Sequence, residues 1–242
     1  MRVPVIRWVD VVAFLPPLLK GARYTIVLTF VIMAISIVAA VFVALARISR
    51  FRVLRVPMIA YVEFIRGTPA LMQLYYIFYV FPFIGLTLPA LVAGIIGMSI
   101  NYTAYLSEVY RAGINSVPKT QTEAAECLGL SYWQSMRLVI LPQAARVVLP
   151  PTVNYLLGLF KDTSLLSLIT IQELMFTGIL LGATTYKYLT IFTEVAVIYF
   201  IICYPWALLA TWVERKMKAV PEPVHTERML SLPRSAGPLA EA

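Results

Sequence analysis

Four consecutive polar residues, Lys161 to Ser164, interrupt a long apolar run. Their side chains are the ones in this run that are best suited to chemistry. Asn101 interrupts a second apolar run. A charge held at the depth of a membrane centre costs about 2.5 to 3.5 kcal/mol, so such side chains usually face protein or water. The carboxylate of Asp162 is therefore expected either to line a polar pathway or to clamp two helices together. Its companions on the pathway would be Asn101, Thr163 and Ser164.

Two pairs of opposite charges are candidates for structural contacts. Glu63 and Arg66 are three residues apart, and so are Glu108 and Arg111. Residues at this spacing are neighbours on one face of a helix, where opposite charges partly neutralise each other. We interpret both pairs as structural ion pairs near membrane boundaries.

The common kinds of catalytic and metal site are not indicated. His225 is the only histidine and lies in a Pro-rich tail, which excludes a histidine-based metal centre or catalytic triad among the apolar runs. Cys127 and Cys203 lie in a polar connection and an apolar run, so no disulfide framework or thiol metal site is indicated. No glycine is followed directly by lysine, so the sequence contains no phosphate-binding loop. We expect no catalytic residue, metal or cofactor on this chain.

The composition is that of an integral membrane protein. Of 242 residues, 60% are hydrophobic and 13% are charged, about half the charged fraction of a soluble protein. The net charge is +8, and the basic residues cluster between apolar blocks, as membrane flanks do. This distribution argues against nucleic acid as a partner. The predicted fold class is an all-α integral membrane protein.

The apolar runs predict about five transmembrane helices. Residues 24–46 contain no charge and, at about 1.5 Å per residue, extend roughly 35 Å, enough to cross a bilayer. Residues 67–107 also contain no charge, but Pro82, Gly85 and Pro89 divide them between two helices. The predicted spans are residues 24–46, 57–81, 89–111, 151–171 and 188–212.

Three other segments complete the predicted organisation. Residues 1–23 have aromatic, proline and basic residues typical of an interfacial amphipathic segment. Residues 172–187 are too short and too rich in glycine to span a membrane, so we interpret them as a surface or re-entrant segment. Residues 219–242 contain four prolines and mixed charges and predict a disordered tail.

The distribution of basic residues predicts the orientation in the membrane. If the N-terminus is outside, the inside segments hold 13 Lys and Arg residues and the outside segments hold 5. Cytoplasmic loops retain the excess of positive charge. The N-terminus is therefore expected outside, and the polar connection of residues 112–150 and the C-terminus are expected in the cytoplasm.

The polar connection predicts two short helices joined by a turn. Thr120 and Glu123 fit a capping box, which would start the first helix, and Gly129 fits the left-handed residue that ends one. Ser131 and Gln134 fit a second capping box. The second helix is expected to continue to Leu141 and to stop before Pro142.

The spacing of this connection resembles the EAA loop of permease subunits in binding-protein-dependent ATP-binding-cassette (ABC) importers. The matching residues are Glu123, Ala124, Ala125, Gly129, Leu141 and Pro142, while Val139 stands where the family usually has Ile. Three further strings resemble the polar amino acid branch of that family. They are residues 63–69 with Gln73 and Leu74, residues 105–114, and residues 159–165. The resemblance covers roughly residues 14–218.

The resemblance implies a type I importer permease in the bacterial inner membrane, with several partners. ATP and Mg would bind to separate ABC ATPase subunits, and the EAA loop would dock into a cleft on each ATPase. Glu123 would be the charged contact, Ala124 and Ala125 the close-approach surface, and Gly129 the turn. The other implied partners are a second permease subunit, a solute-binding protein and membrane lipids. The second permease would be either the same chain or a related one.

The resemblance also gives the candidate pathway a substrate class. Asn101, Asp162, Thr163 and Ser164 would line a route for a polar amino acid, and basic, acidic and neutral amino acids and opines all fit. An ATPase-independent channel or secondary carrier is the alternative, against which the absence of an internal repeat counts. An intramembrane enzyme is disfavoured because its common sequence motifs are absent.

Overall fold

The computed structural model describes residues 8–217, and every regular element within that range is a helix. This confirms the all-α prediction. The helices are α1 (Trp8–Ile48), α2 (Arg52–Arg66), α3 (Ala70–Tyr75), α4 (Ala90–Asn115), α5 (Lys119–Cys127), α6 (Tyr132–Ser135), α7 (Leu141–Asp162), α8 (Leu174–Thr185) and α9 (Tyr188–Met217). A π-helical turn and a 3₁₀ turn extend α3 to Ile84, a π-helical turn joins α6 to α7, and a 3₁₀ helix extends α7 to Ile169. The predicted disordered tail, residues 219–242, lies outside the described residues.

Within residues 8–217, three helices are long and apolar enough to cross a membrane, namely α1, α4 and α9. The helix that runs from Tyr132 to Ile169 and α8 together make a fourth candidate, bent by 49° at the break between them. A bend of this kind is the geometry of a broken span or a re-entrant loop. Helix α8 thus occupies most of the segment predicted as surface or re-entrant.

The predicted span over residues 57–81 is not one continuous helix, because the chain breaks between α2 and α3. Pro69 has no backbone N–H and disfavours a helical conformation in Thr68, which ends α2. The Gln73 side-chain amide then donates to the Ile65 carbonyl oxygen at 2.8 Å and to the Thr68 carbonyl oxygen at 3.1 Å. One side chain therefore satisfies backbone acceptors that the break leaves without helical partners.

Helix α1 begins well before the predicted first span. Its 41 residues correspond to about 60 Å, and they include Pro16 and Pro17. Residues 8–23, predicted as a separate interfacial segment, are part of this continuous helix. Phe14, Leu18 and Ala22 are buried there in a cluster with residues of α8 and α9. Packing against those helices explains why this segment continues α1 in the structure.

The second helix of the polar connection does not stop before Pro142, contrary to the prediction. The backbone N–H of Leu141 bonds to the Met136 carbonyl oxygen, five residues back, which closes a π-helical turn. Pro142 follows in the first turn of α7. Because proline lacks an N–H and its ring crowds the preceding turn, a widened turn can accommodate it without ending the helix.

The main core lies between α1, α4 and α7. Leu28 and Ile32 of α1, Met98 and Leu106 of α4, and Leu159 of α7 are buried together in it. Helices α1 and α4 form the most extensive pair, and α9 packs against α7. This core holds the end of α7 against the middle of α4, where the polar residues of the two helices meet.

Candidate functional site

A polar cavity of about 440 Å³ lies where the α2–α3 break meets α4 and the end of α7. Its volume is within the range of small-molecule binding sites. It is lined by Arg66, Gly67, Thr68, Pro69, Ala70, Asn101, Tyr102, Tyr105, Tyr155 and Asp162. The cavity thus brings together two of the predicted pathway residues, Asn101 and Asp162.

Asp162, the last residue of α7, presents its carboxylate to this cavity. The Tyr102 hydroxyl donates a hydrogen bond to the Asp162 Oδ2 atom at 2.7 Å. Within residues 8–217 the carboxylate forms no ion pair, and its neighbour Lys161 does not line the cavity. The charge of Asp162 is therefore oriented by a neutral donor and left available to a cationic group.

Asn101 is buried and connects α4 to the α2–α3 break. Its side-chain amide donates to the Gln73 Oε1 atom at 3.0 Å, and Gln73 in turn bonds to the end of α2. Asn101 therefore helps to set the position of the break that forms one wall of the cavity. The sequence interpretation did not assign Gln73 this role, although it is an amide in an apolar run, which is itself a signal.

Thr163 and Ser164 do not line the cavity, which differs from the prediction. Thr163 is fully buried and its hydroxyl donates to the Phe160 carbonyl oxygen at 2.8 Å. Ser164 is half-buried, and its carbonyl oxygen accepts from the Ser167 hydroxyl. Both residues lie in the 3₁₀ helix, whose tighter turn changes the direction of side chains after Asp162.

Arg66 faces the cavity and does not pair with Glu63. Among the described residues, no ion pair joins these two side chains. The Arg66 guanidinium lies 5.6 Å from the centre of the Tyr105 ring, a cation–π contact between α2 and α4. The predicted Glu63–Arg66 pair is therefore corrected, and Arg66 becomes the basic residue of the cavity.

Three tyrosines form an aromatic wall that the sequence interpretation missed. The ring centres of Tyr102 and Tyr155 are 6.3 Å apart, and those of Tyr105 and Tyr155 are 5.9 Å apart. Tyr102 and Tyr105 are three residues apart on α4, and Asn101 precedes Tyr102. Helical spacing alone could therefore have placed these three α4 residues on neighbouring faces of the helix. Tyr155 joins them only through the packing of α7 against α4.

A cluster of three charges joins the ends of α1 and α4. Glu108 contacts Arg111 on its own helix, at the predicted spacing, and also Arg47 in the last turn of α1. The Arg47 side chain is only 7% exposed. The sequence indicates the local pair, whereas the contact with Arg47 depends on how α1 and α4 pack.

The first helix of the polar connection, α5, starts differently from the prediction. Pro118 occupies the position before the helix, which begins at Lys119, and no side chain caps it. The capping box predicted at Thr120 and Glu123 therefore does not form. At Ser131, in contrast, the backbone N–H donates to the Gln134 Oε1 atom at 2.8 Å, as predicted.

The turn after α5 has the predicted left-handed residue. Gly129 has φ of 75°, and its N–H bonds to the Glu126 carbonyl oxygen at 2.9 Å. The N–H of Leu130 bonds to the Ala125 carbonyl oxygen at 3.1 Å. These two bonds define a Schellman motif, which reverses the chain sharply at the end of a helix.

The residues of the EAA loop differ in their accessibility. Glu123 and Ala124 are exposed on α5, and Leu141 and Pro142 are exposed at the start of α7. Ala125 is buried within this chain, with 3% of its surface exposed. The open face of α5 therefore includes Glu123 and Ala124 but not Ala125, and Leu128, directly after the helix, is highly exposed as well.

A buried acid, Glu173, joins three helices away from the cavity and was not predicted. Its side chain has no exposed surface and accepts from the Phe176 N–H at 2.8 Å, which caps the start of α8. It also accepts from the Tyr199 hydroxyl of α9 at 2.9 Å and the Thr25 hydroxyl of α1 at 3.3 Å. A lone acid in an apolar stretch is a signal that could have identified it.

The described residues thus form a bundle of apolar helices with a polar cavity between them. An exposed helical hairpin, formed by α5, the Gly129 turn and α6, lies at one end of the bundle. This is the architecture of a membrane-spanning transport subunit. The family model described as "Binding-protein-dependent transport system inner membrane component" matches residues 32–219. The chain belongs to this family, which confirms the resemblance carried by its sequence motifs.

Its relatives are amino-acid ABC transporter permeases. The chain is 42% identical over 201 residues to the "Probable amino-acid ABC transporter permease protein YckA" of Bacillus subtilis (strain 168), covering 83% of this chain and 89% of that protein. It is 43% identical over 206 residues to the "L-cystine transport system permease protein TcyB" of the same organism, covering 85% and 88%. The similarity therefore extends over nearly the whole transport subunit.

Solved structures share the fold. The "Crystal structure of an amino acid ABC transporter with histidines" matches with a TM-score of 0.82 and 32% identity, covering 88% of this chain and 99% of that chain. An inward-facing structure of the MetNI methionine ABC transporter matches with a TM-score of 0.69 at 20% identity, over 83% and 96%. The second likeness concerns the fold alone.

Proposed function

We propose that this chain is the permease subunit of an ATP-driven importer that moves polar amino acids across a bacterial inner membrane. The observation that carries the substrate class is the convergence of opposite charges on one cavity, with Asp162 from α7 and Arg66 from α2. A zwitterionic amino acid carries an ammonium group for the carboxylate and a carboxylate group for the guanidinium. Both charged groups of such a substrate have a partner in this cavity.

Aromatic side chains would hold the rest of the substrate. Tyr102 orients Asp162, and Tyr105 lies against Arg66, so each charged residue is positioned by a tyrosine of α4. A movement of α4 relative to α7 would change the distance between the two charges. The cavity would then bind the substrate well in one state of the transporter and poorly in the other, as directional transport requires.

Energy would come from separate ATPase subunits that bind ATP and Mg. The open face of α5, with Glu123 and Ala124, would enter a cleft on the ATPase, and the Gly129 turn would transmit its movement to α7. Because α6 and α7 continue as one helix through the π-helical turn, a displacement of the hairpin would be transmitted through this helix to Asp162. Ala125 would contribute by packing within this chain.

Family membership supports two further partners as part of this proposal. A second permease, identical or related, would complete the pathway, and a solute-binding protein would deliver the amino acid from outside. The N-terminus would lie outside and the C-terminus in the cytoplasm, which puts the α5 hairpin on the ATPase side. No nucleic acid is expected to bind.

Uptake by the complete importer tests the assignment of the cavity. Asp162→Asn is expected to lower ATP-driven uptake of a cationic or neutral amino acid at least about tenfold, because a hydrogen bond to a charged group contributes about 1.5 to 3 kcal/mol. The assembled complex should remain as abundant, because asparagine keeps the shape of the side chain. Lys161→Gln, which removes the adjacent charge outside the cavity, should leave uptake near normal.

Three results would contradict this proposal. Loss of assembled complex in Asp162→Asn would identify the carboxylate as a structural clamp between helices. Uptake that continues without the ATPase subunit would identify a channel or secondary carrier. Unchanged uptake in Asp162→Asn, with unchanged preference among amino acids, would remove Asp162 from the pathway.

Cysteine labelling tests the orientation independently. Cys127 is exposed, so it and Cys203 would first be replaced by serine. A cysteine at Phe83, which is 90% exposed beyond α3, is expected to react with an impermeant maleimide in intact cells. A cysteine at Lys119 should react only after permeabilisation. Reaction at Lys119 in intact cells would overturn the proposed orientation and the ATPase contact with it.

A further inference from the structure

A second cavity, distinct from the polar one, opens between the end of α1, the end of α4 and the start of α7. We call it the apolar groove. It has a volume of about 570 Å³, and its α1 wall includes Val41 and Leu45, both exposed to it. Ile114 of α4 and Leu141 of α7 continue the apolar lining. Among the described residues, the groove and the polar cavity have no lining residue in common.

One charge stands on this otherwise apolar surface. Among the residues that the structure describes, Arg137 is the single charged one in the lining, and its side chain is exposed. Among residues 8–217 it forms no ion pair. The groove therefore combines a long apolar floor with one uncompensated positive charge, which complements a molecule with an apolar chain and an anionic group.

The position of the groove relative to the membrane favours one occupant. Val41 and Leu45 lie in the last turns of an apolar helix that is long enough to cross the bilayer, directly before a basic segment that contains Arg47, Arg50 and Arg52. Trp133, which is 74% exposed, lies beside Arg137 in the lining. Tryptophan and basic residues at the end of a span mark the boundary between hydrocarbon and headgroups. The groove thus extends from that boundary into the hydrocarbon.

We infer that the apolar groove binds an anionic phospholipid of the cytoplasmic leaflet, with its headgroup phosphate on Arg137 and an acyl chain along α1. A soluble ATPase cannot occupy the α1 wall, because that wall belongs to a membrane span. Basic pockets between spans on the cytoplasmic side select anionic headgroups in this way. This site rests on the proposed orientation, which places this end of the bundle in the cytoplasmic leaflet.

Photolabelling of the complete importer in lipid nanodiscs tests the inference. Phosphatidylglycerol or phosphatidylcholine with a diazirine in the acyl chain would be added to unlabelled phosphatidylcholine, and adducts would be mapped by peptide mass. The peptides around Val41 and Trp133 are expected to receive about fivefold more label from phosphatidylglycerol. That ratio corresponds to about 1 kcal/mol for one basic residue near an anionic lipid.

Matched variants distinguish the contribution of the lipid headgroup from that of the acyl chain. Arg137→Gln should bring the two lipids to equal labelling, and Arg137→Lys should keep the preference. Arg146 is an exposed arginine of the continuous helix that also contains Arg137, but it lines a different cavity. Arg146→Gln should therefore leave the labelling ratio of the two lipids unchanged. Leu45→Trp, which fills the groove, should lower labelling by both lipids.

Several outcomes would overturn the lipid site. Equal labelling by the two lipids in the unaltered protein would mean that Arg137 selects no headgroup. Cross-links from the groove to the second permease or to the ATPase, with no lipid adduct, would mean that a protein covers it. ATP-driven uptake is measured in proteoliposomes of the same lipid composition, so loss of uptake with selective labelling intact would count against the proposed transport function and leave the lipid site standing.

Discussion

Gly129→Val is expected to reduce ATP-driven uptake at least about tenfold and to release the ATPase from the purified complex. At φ of 75° a side chain with a Cβ atom is strained by about 1 to 2 kcal/mol, roughly a tenfold shift in equilibrium, and a β-branched residue is the least tolerated. A Cβ atom added at Gly129 would meet no atom of residues 8–217 within 4 Å. The effect would therefore come from the backbone of the turn and not from a collision.

Gly85 provides a matched control for this substitution. It also has a left-handed backbone, with φ of 84°, and a Cβ atom there would likewise meet no atom of the described part of the chain within 4 Å. Gly85→Val thus carries a similar local strain at a site far along the chain from the hairpin, and it should keep the ATPase bound. Gly129→Asn should retain much of the uptake, because asparagine tolerates this conformation. Normal uptake by Gly129→Val would mean that the turn does not transmit the coupling.

Glu173→Leu is expected to give the largest loss of stability. The substitution leaves the Tyr199 and Thr25 hydroxyls and the Phe176 N–H without their carboxylate acceptor in a buried site. Each unsatisfied polar group costs about 1 to 3 kcal/mol, and loss of a helix cap costs about 1 kcal/mol. The melting temperature of the purified complex and the amount of assembled complex should both fall sharply.

Glu194 provides the matched control for Glu173→Leu. It is also a buried acid, on α9, but neither of its carboxylate oxygens has a hydrogen-bond partner among residues 8–217. Glu194→Leu should therefore be neutral or stabilising, since it removes a buried polar group that leaves no partner behind. Glu173→Gln, which keeps an acceptor oxygen, should fall between the two. Equal melting temperatures for Glu173→Leu and Glu194→Leu would show that the Glu173 network does not hold the three helices together.

The features that could be predicted from the sequence are those set by neighbouring residues. The apolar runs indicate membrane helices because backbone groups in lipid must be satisfied within a helix. The left-handed turn at Gly129 and the cap at Ser131 follow from residue types within a few positions. The contact between Glu108 and Arg111 follows from helical spacing alone. The family resemblance likewise depends on short strings of residues.

Single sequence rules failed where a neighbouring residue or a tertiary contact competed with them. Thr120 and Glu123 fit a capping box, yet Pro118 starts α5 earlier, and the widened turn before Pro142 lets α7 continue where proline alone predicts an end. Residues 8–23 extend α1 because α8 and α9 cover one side of them. In each case the packing or the backbone geometry of a neighbouring element decided the outcome.

The pairing of the charges was decided only by the tertiary structure. Arg66 could reach Glu63 on its own helix, but the packing of α2 against α4 places its guanidinium over Tyr105 and on the cavity that contains Asp162. Arg47 meets Glu108 across 61 residues of chain. Lipid and apolar side chains are similar environments, so hydrophobicity shows which segments enter the membrane but not which faces meet. Close packing and polar contacts between helices select those faces, and they join residues that are far apart in the sequence.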